Sequence, residues 1–290
     1  MSTSRVLVVG EALIDIVDGK EIVGGSPANV ALGLGRLGVT VELLTAIGGD
    51  DRGRRIMEHL AQSGVSVLPE SLCLEKTSTA RAVVGPNGSA TYDFDIEWSL
   101  PGTASGGHDI LHVGSIACFL EPGASDVVAL ARLAAASGQR VTFDPNIRPA
   151  LLAGTDVRRR VEELAKIASA VKLSDEDAAH VYPGLPIDAV IERLMSLGPQ
   201  IIAVTEGGEG AVIASSNGRV RVPGAKVEVV DTVGAGDTFM ASLVASLAEL
   251  EDWNAPAEDL EPLLRRCVNA AAVTVSRRGA DLPWREELGG

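Results

Sequence analysis

The strongest chemical signal in the sequence is Val229-Val230-Asp231-Thr232-Val233-Gly234-Ala235-Gly236-Asp237-Thr238-Phe239. A strand-like pair of valines leads into a Gly-Ala-Gly turn, and a helical pattern follows at once. Side chains this small leave the backbone N–H groups of Gly234, Ala235 and Gly236 open to an approaching anion. The positive end of the helix dipole adds to their field. Asp237 falls in the first turn of that helix. A carboxylate beside an anion hole repels a phosphate. The pairing makes sense where the Asp takes a proton from a hydroxyl that attacks the phosphate. Asp after a Gly-rich turn is also the pattern of an ordinary helix N-cap. This segment by itself does not choose between the two.

Two further segments carry polar groups at suggestive places. Gly24-Gly25-Ser26-Pro27-Ala28-Asn29 brings backbone close to a neighbour, and Pro27 suits the first turn of a helix. Asn29 offers a short amide for sugar hydroxyls, or is simply polar in a first helical turn. Phe143-Asp144-Pro145-Asn146-Ile147-Arg148-Pro149 follows an expected parallel strand, where ligands collect. It also reads as a turn held by Asp144 and Asn146. Gly33-Leu34-Gly35-Arg36-Leu37-Gly38 fits GxGxxG, but its glycines lie in and just after a helical pattern, so it is no dinucleotide fingerprint. No GxxxxGK[ST] occurs.

The elements that must position these residues alternate. Expected strands are Arg5–Val9, Thr40–Ala46, Ile110–Val113, Arg140–Phe143, Ala170–Leu173 and Ile201–Thr205. Expected helices lie near Ala28–Leu37, Arg52–Ser63, Ala124–Ala136, Val157–Ile167 and Ile187–Leu197. Continuous apolar strands separated by helices predict a mainly parallel sheet covered on both faces. A hairpin, Ala211–Ala214 and Val220–Val222 around Asn217-Gly218, and two helices, Ala235–Glu249 and Ala257–Val275, complete the chain. Leu13–Val23 and Thr77–Leu100 break the rhythm and read as antiparallel strands of a small β appendage, with a turn at Pro86-Asn87-Gly88. The expectation is one α/β domain over residues 1–290, with lid strands from about 12–23 and 77–100.

Composition sets bounds. The formal charge of −14 disfavours nucleic acid and anionic membrane surfaces as partners. No apolar stretch reaches the ~18 residues of a spanning helix. The apolar run Val6 to Val9 is too short for a signal peptide. Cys73, Cys118 and Cys267 are far apart and form no CxxC, which points to a reducing compartment and a cytoplasmic protein.

Taken in order, these segments resemble the PfkB (ribokinase-like) family of carbohydrate kinases along nearly the whole chain. Gly24 to Asn29 with Leu32 to Gly38 looks like the family's first signature, and Asp231 to Asp237 like its second, without departure. Ile47-Gly48 with Asp50 and Gly53, and Thr205 with Gly207 and Gly210, fall where the family has them. The resemblance implies a three-layer α/β/α fold with an inserted β-sheet lid and an ATP-dependent sugar kinase. It implies Asp237 as catalytic base, with Gly234, Ala235 and Gly236 as the anion hole. Asp15, Gly25 and Asn29 would bind the sugar, and Thr205, Gly207 and Gly210 the nucleotide. Mg²⁺ would accompany ATP, and Asp231 and Val233 would hold a monovalent cation, usually K⁺. The family often carries Asn-x-x-Glu where this chain has Ser174-Asp175-Glu176-Asp177. Asp177 keeps the acidic end that organises Mg²⁺ through water. Lids of this kind often pair between subunits, which implies a homodimer.

Gly10-Glu11-Ala12-Leu13-Ile14-Asp15 and Asp144-Pro145-Asn146-Ile147-Arg148 resemble the fructokinase and 2-keto-3-deoxygluconate kinase branch. The lid segment Tyr92-Asp93-Phe94-Asp95-Ile96-Glu97-Trp98 holds acids and no base. The acids line one face of a strand, with the aromatic residues and Ile96 on the other. Either face leaves this segment without a cation for a carboxylate, so a neutral hexose, fructose first, is expected. A carboxylate sugar would take its cation from Arg148. A 2-keto-3-deoxygluconate kinase and a silent binder of sugar or nucleotide are the alternatives. The intact Gly234-Ala235-Gly236-Asp237 favours the enzyme.

Overall fold

The computed structural model describes residues 4–84, 90–100, 102 and 106–289. The turn expected at Pro86-Asn87-Gly88 lies outside them. The first third of the chain runs β1 (Arg5–Val9), β2 (Leu13–Val17), β3 (Lys20–Gly24), α1 (Ser26–Arg36), β4 (Thr40–Leu44), β5 (Ile47–Gly48), α2 (Asp51–Ala61), β6 (Ser66–Val67), β7 (Leu72–Leu74), β8 (Thr79–Val84) and β9 (Ala90–Asp95). Then come β10 (Ile110–Gly114), α3 (Gly123–Ala136), β11 (Arg140–Asp144), α4 (Val157–Ala165), β12 (Ala170–Ser174), α5 (Asp175–Val181), α6 (Ile187–Met195) and β13 (Ile201–Thr205). The chain closes with β14 (Ala211–Ala214), β15 (Arg219–Val222), α7 (Ala235–Leu247) and α8 (Ala257–Val275).

Nine strands form the main sheet, in the order β15-β14-β13-β12-β11-β10-β1-β4-β6. It is parallel except for the hairpin of β14 and β15. The apolar runs are explained by burial on both faces. Val6 and Val8 of β1 join one core with α1, α2, α7 and α8, whereas Leu7 and Val9 join another with α3, α4, α5 and α6. These are the three layers expected from the sequence.

The appendage is a separate sheet in the order β3-β2-β8-β9. Its two hairpins are antiparallel, but β2 and β8 pair in parallel, which the sequence reading did not foresee. Asp50 fastens this sheet to the domain. Its side chain accepts from the N–H of Gly53 at the start of α2, and from the N–H and Oγ1–H of Thr77 before β8. Burial opposes ionisation of Asp50, but these bonds prevail and hold its carboxyl down at about 2. At the far end Trp98, buried in the domain, donates its ring N–H to the Ala117 carbonyl at 3.0 Å.

Candidate active site

Two helix amino ends meet at Asp237. Gly234 is the N-cap of α7, with φ of 80°, and Asp237 lies in the first turn. Asp237 is therefore not the cap residue that its sequence position also allowed. Its carboxylate is 8% exposed and accepts two hydrogen bonds from α1. Ser26 Oγ–H donates to Oδ1 at 2.6 Å and Asn29 Nδ2–H to Oδ2 at 2.8 Å. The three-residue spacing of Ser26 and Asn29 puts both donors on one face of α1. Gly25 caps α1 with φ of 103°, and a Cβ there would sit 2.5 Å from the Glu11 carbonyl oxygen. Of the three N–H groups expected to be open, that of Ala235 donates to the Thr232 carbonyl at 3.3 Å. Gly234 and Gly236 have no acceptor for theirs among the described residues.

A buried ion pair lies under the turn. Lys172 donates to Asp144 Oδ2 at 2.9 Å, with side chains 4% and 2% exposed. A Cβ built on Gly236 would lie 3.2 Å from the Lys172 ammonium nitrogen. Asp144 Oδ1 has no hydrogen-bond partner among the described residues. Burial pushes the Asp144 carboxyl up to about 6, against the pull of Lys172. Burial pulls the Lys172 ammonium down, but the carboxylates of Asp144, Asp177 and Asp237 more than offset it, and its pKa is raised. His112 is pushed down to about 3 by burial and by Lys172, so it is neutral beside Thr142. Asp177 spends both oxygens on backbone: Oδ1 accepts from Ile147 N–H and Oδ2 from Ser174 N–H. Ser174 caps α5 in return, so Ser174 and Asp177 form a capping box that also fixes the loop after β11.

On the lid side, the strand register places Asp15, Ile22, Ala80 and Phe94 on one face. Asp93 and Asp95 pair with Arg81 and Thr79 on the opposite face and, like Glu97, are exposed. The acids are thus solvated, while Phe94 and Ile96 are half-buried and Trp98 buried. The side chain of Tyr92 lies outside the described ones. Burial lifts Asp15 to about 6 and Glu11 to about 7, and in both cases the positive charge of Arg148 acts the other way. Glu11 Oε2 accepts from the Ala117 N–H at 3.1 Å, and its carboxyl also bonds Ser115.

Thr205 ends β13 beside Ser174 in register, at the carboxyl edge that carries the other groups. Gly207 and Gly210 flank the next turn, which the Glu206 N–H closes onto the Gly210 carbonyl. Asp231 Oδ1 accepts from Val233 N–H and Oδ2 from Gly279 N–H, and these bonds hold its carboxyl below the usual range. It staples the anion-hole loop to the segment after α8. Among the described residues no three His, Cys, Asp or Glu side chains gather to hold a metal.

Ser26, Lys172 and Glu11 were not among the site residues expected from sequence. Ser26 stood inside the first signature, three residues before Asn29. Lys172 was a charge inside the apolar strand Ala170–Leu173, which had to be covered on both faces, and that was its signal. Glu11 carried no signal of its own beyond the family-like opening.

The carbohydrate kinases of the pfkB family, as a profile, match residues 4–287. A fructokinase of Klebsiella pneumoniae is 34% identical, aligned over 98% of this chain and 98% of its own length. One of Salmonella typhimurium is 33% identical over the same shares. Among solved structures, fructokinase with bound ATP from Xylella fastidiosa superposes with a TM-score of 0.85 at 25% identity, covering 99% of this chain and 97% of its own. Fructokinase from Vibrio cholerae, in fructose, ADP and calcium ion bound form, gives 0.84 at 26% identity, over 97% and 95%. A match that runs almost from end to end has one meaning: this chain belongs to the pfkB family of carbohydrate kinases.

Proposed function

We propose that this chain is an ATP-dependent fructokinase that phosphorylates a primary hydroxyl of the sugar. The observation that carries the reading is the carboxylate of Asp237, gripped by Ser26 and Asn29 at the meeting of two helix amino ends. Its orientation is set from α1, so it can take the proton of a sugar hydroxyl as that oxygen attacks phosphorus. The N–H groups of Gly234 and Gly236 receive the phosphate oxygens, and the dipole of α7 favours their charge. Asp15, Gly25, Asn29 and Arg148 line the sugar side, and Thr205, Gly207 and Gly210 the nucleotide side. A silent binder has no use for a base held this way.

Mg²⁺ fits as a companion of ATP rather than as a caged ion. Asp177 has both oxygens engaged by backbone N–H, and Asp144 keeps one oxygen without a partner. Such a set suits contact through water, and the ion, when bound, neutralises phosphate charge. Asp231 and Val233 are the place for a K⁺ ion. The three cysteines are free, which fits a reducing cytoplasm. No helix among the described residues is long and apolar enough to cross a membrane.

One observation favours a carboxylate sugar: Arg148 is an exposed cation on the sugar side. Two others weigh more. Its charge acts on the carboxyls of Glu11 and Asp15, and the residues beside Asp15 on its lid face are Ile22, Ala80 and Phe94, while the cation of that face, Lys20, is exposed at the turn end of the hairpin. The test compares kcat/KM for fructose and 2-keto-3-deoxygluconate at fixed Mg-ATP and K⁺. Fructose is expected to be preferred. A clear preference for the acid sugar overturns the assignment and turns attention to Arg148.

A further inference from the structure

Lys172 and Asp144 need an explanation that stability does not supply. Moving two charges out of water costs several kcal/mol per ion, and a well-packed apolar pair in their place is often neutral or stabilising. Here the pair is almost wholly buried, at the carboxyl ends of adjacent strands β11 and β12. One Asp144 oxygen has no partner among the described residues, so within them the pair is not a fully satisfied network. Its position is informative. A methyl group on Gly236 would stand 3.2 Å from the Lys172 nitrogen, so at this glycine only backbone separates the ammonium from the anion hole. Asp144 accepts a hydrogen bond from one of the three ammonium N–H groups.

We propose that Lys172 is a further catalytic residue: its ammonium, fixed by Asp144, reaches the transferring phosphoryl group beside Gly236 and balances the charge on its oxygens. Asp144 is the positioning residue that aims it. The reaction itself stays balanced without Lys172. The sugar oxygen bonds to the γ-phosphorus as the bond to the β–γ bridging oxygen breaks, ADP leaves with that electron pair, and Asp237 takes the hydroxyl proton. Lys172 makes and breaks no covalent bond. The glycine at position 236 keeps open the space through which the ammonium reaches. The raised pKa of Lys172 keeps it charged, and neutral His112 on its other side competes for none of that charge.

The inference rests on the kinase reading, and its first readout needs no sugar. Calorimetry with Mg²⁺ compares AMP-PNP, which carries the third phosphate, with ADP. Lys172→Met is expected to weaken AMP-PNP about tenfold or more, the range of a charge-assisted hydrogen bond, and ADP less than about threefold. In turnover, kcat is expected to fall about 10²–10³-fold with the KM for sugar nearly unchanged, as for other losses of transition-state charge stabilisation. Lys172→Arg is expected to restore part of both. Asp144→Asn keeps the charge of Lys172 but loosens its aim, so it is expected to lower kcat while leaving ADP affinity intact. Should Lys172→Met unfold, the double change Lys172→Met with Asp144→Leu removes both buried charges and serves in its place. A folded variant that binds AMP-PNP and ADP as the parent does, or loses both equally, overturns the proposal. An intact nucleotide split with no turnover on fructose by the parent would instead count against the choice of sugar.

Discussion

Asp237 has a carboxylate held by a hydroxyl and an amide, and neither donor carries charge. They fix its direction, which suits a group that must accept a proton in each turnover. Asp237→Asn keeps the shape and loses that capacity. The variant is expected to fold and bind ATP while kcat falls ~10²–10⁴-fold. Near-normal turnover would leave Asp237 with a structural role only. At this scale the site was partly legible. Asp237 was a candidate because Gly234-Ala235-Gly236 precede it, and the resemblance, rather than the segment alone, chose the base over the helix cap. Ser26 and Lys172 were not, because their roles come from contacts at long range in the chain. Ser26 reaches residue 237, and Lys172 lies under residue 236. Asp177, which the resemblance gives a part in organising Mg²⁺ through water, also has a structural part that the sequence did not show: its oxygens hold the Ile147 N–H and close the cap of α5.

The elements explain why the turn before α7 tolerates so little change. Gly234 has φ of 80°, and a Cβ there would meet the Ala280 Cβ at 2.7 Å and its Cα at 2.9 Å. Gly234→Ala therefore combines a left-handed backbone with a clash against the segment after α8. The expected cost is about 1–3 kcal/mol of stability, with a raised KM for ATP as the turn shifts. Thermal melts and initial rates read both. Unchanged values for the two would mean that the turn can shift away from Ala280 at no cost. The long strands and helices were readable because their apolar runs and periods are strong. The short strands β5, β6 and β7 were not, since two or three residues carry no period. The parallel join of β2 and β8 was also hidden, because strand direction within an inserted sheet is decided by where the chain re-enters it. The lid shows how much depends on register. Alternation placed three acids on one face, but only the pairing with β8 told that Asp15 lies on the other.

For the whole molecule, buried acids set an unusual pH balance. Asp50, Asp231 and the surface-paired acids with lowered pKa contribute stability above their unfolded values and lose it as pH falls. Glu11, Asp15 and Asp144 act in the other direction, because burial raises them. The stability tied to Glu11 is full below its ordinary value of 4.5 and is lost as pH rises through about 7. Glu11→Gln keeps an acceptor for the Ala117 N–H and removes the ionisation. Its Tm relative to the parent is expected to rise from pH 5 to pH 8, by up to roughly 2–3 kcal/mol in stability terms. An equal difference at both pH values would show that Glu11 ionises without cost in the folded chain.

The grip on Asp237 joins residues 26 and 29 to residue 237, and the turn before it leans on residues 279 and 280. During synthesis the chain grows from its amino end, and the sheet from β1 to β13 is made before any of α7 has left the ribosome. On the proposed reading, a growing chain thus carries the sugar-side residues Asp15 and Arg148 long before it has the base Asp237 or the turn at Gly234. It cannot spend ATP until it is almost finished. By the same reading, a chain that stops anywhere before α7 has no base with which to pass phosphate from ATP to a sugar.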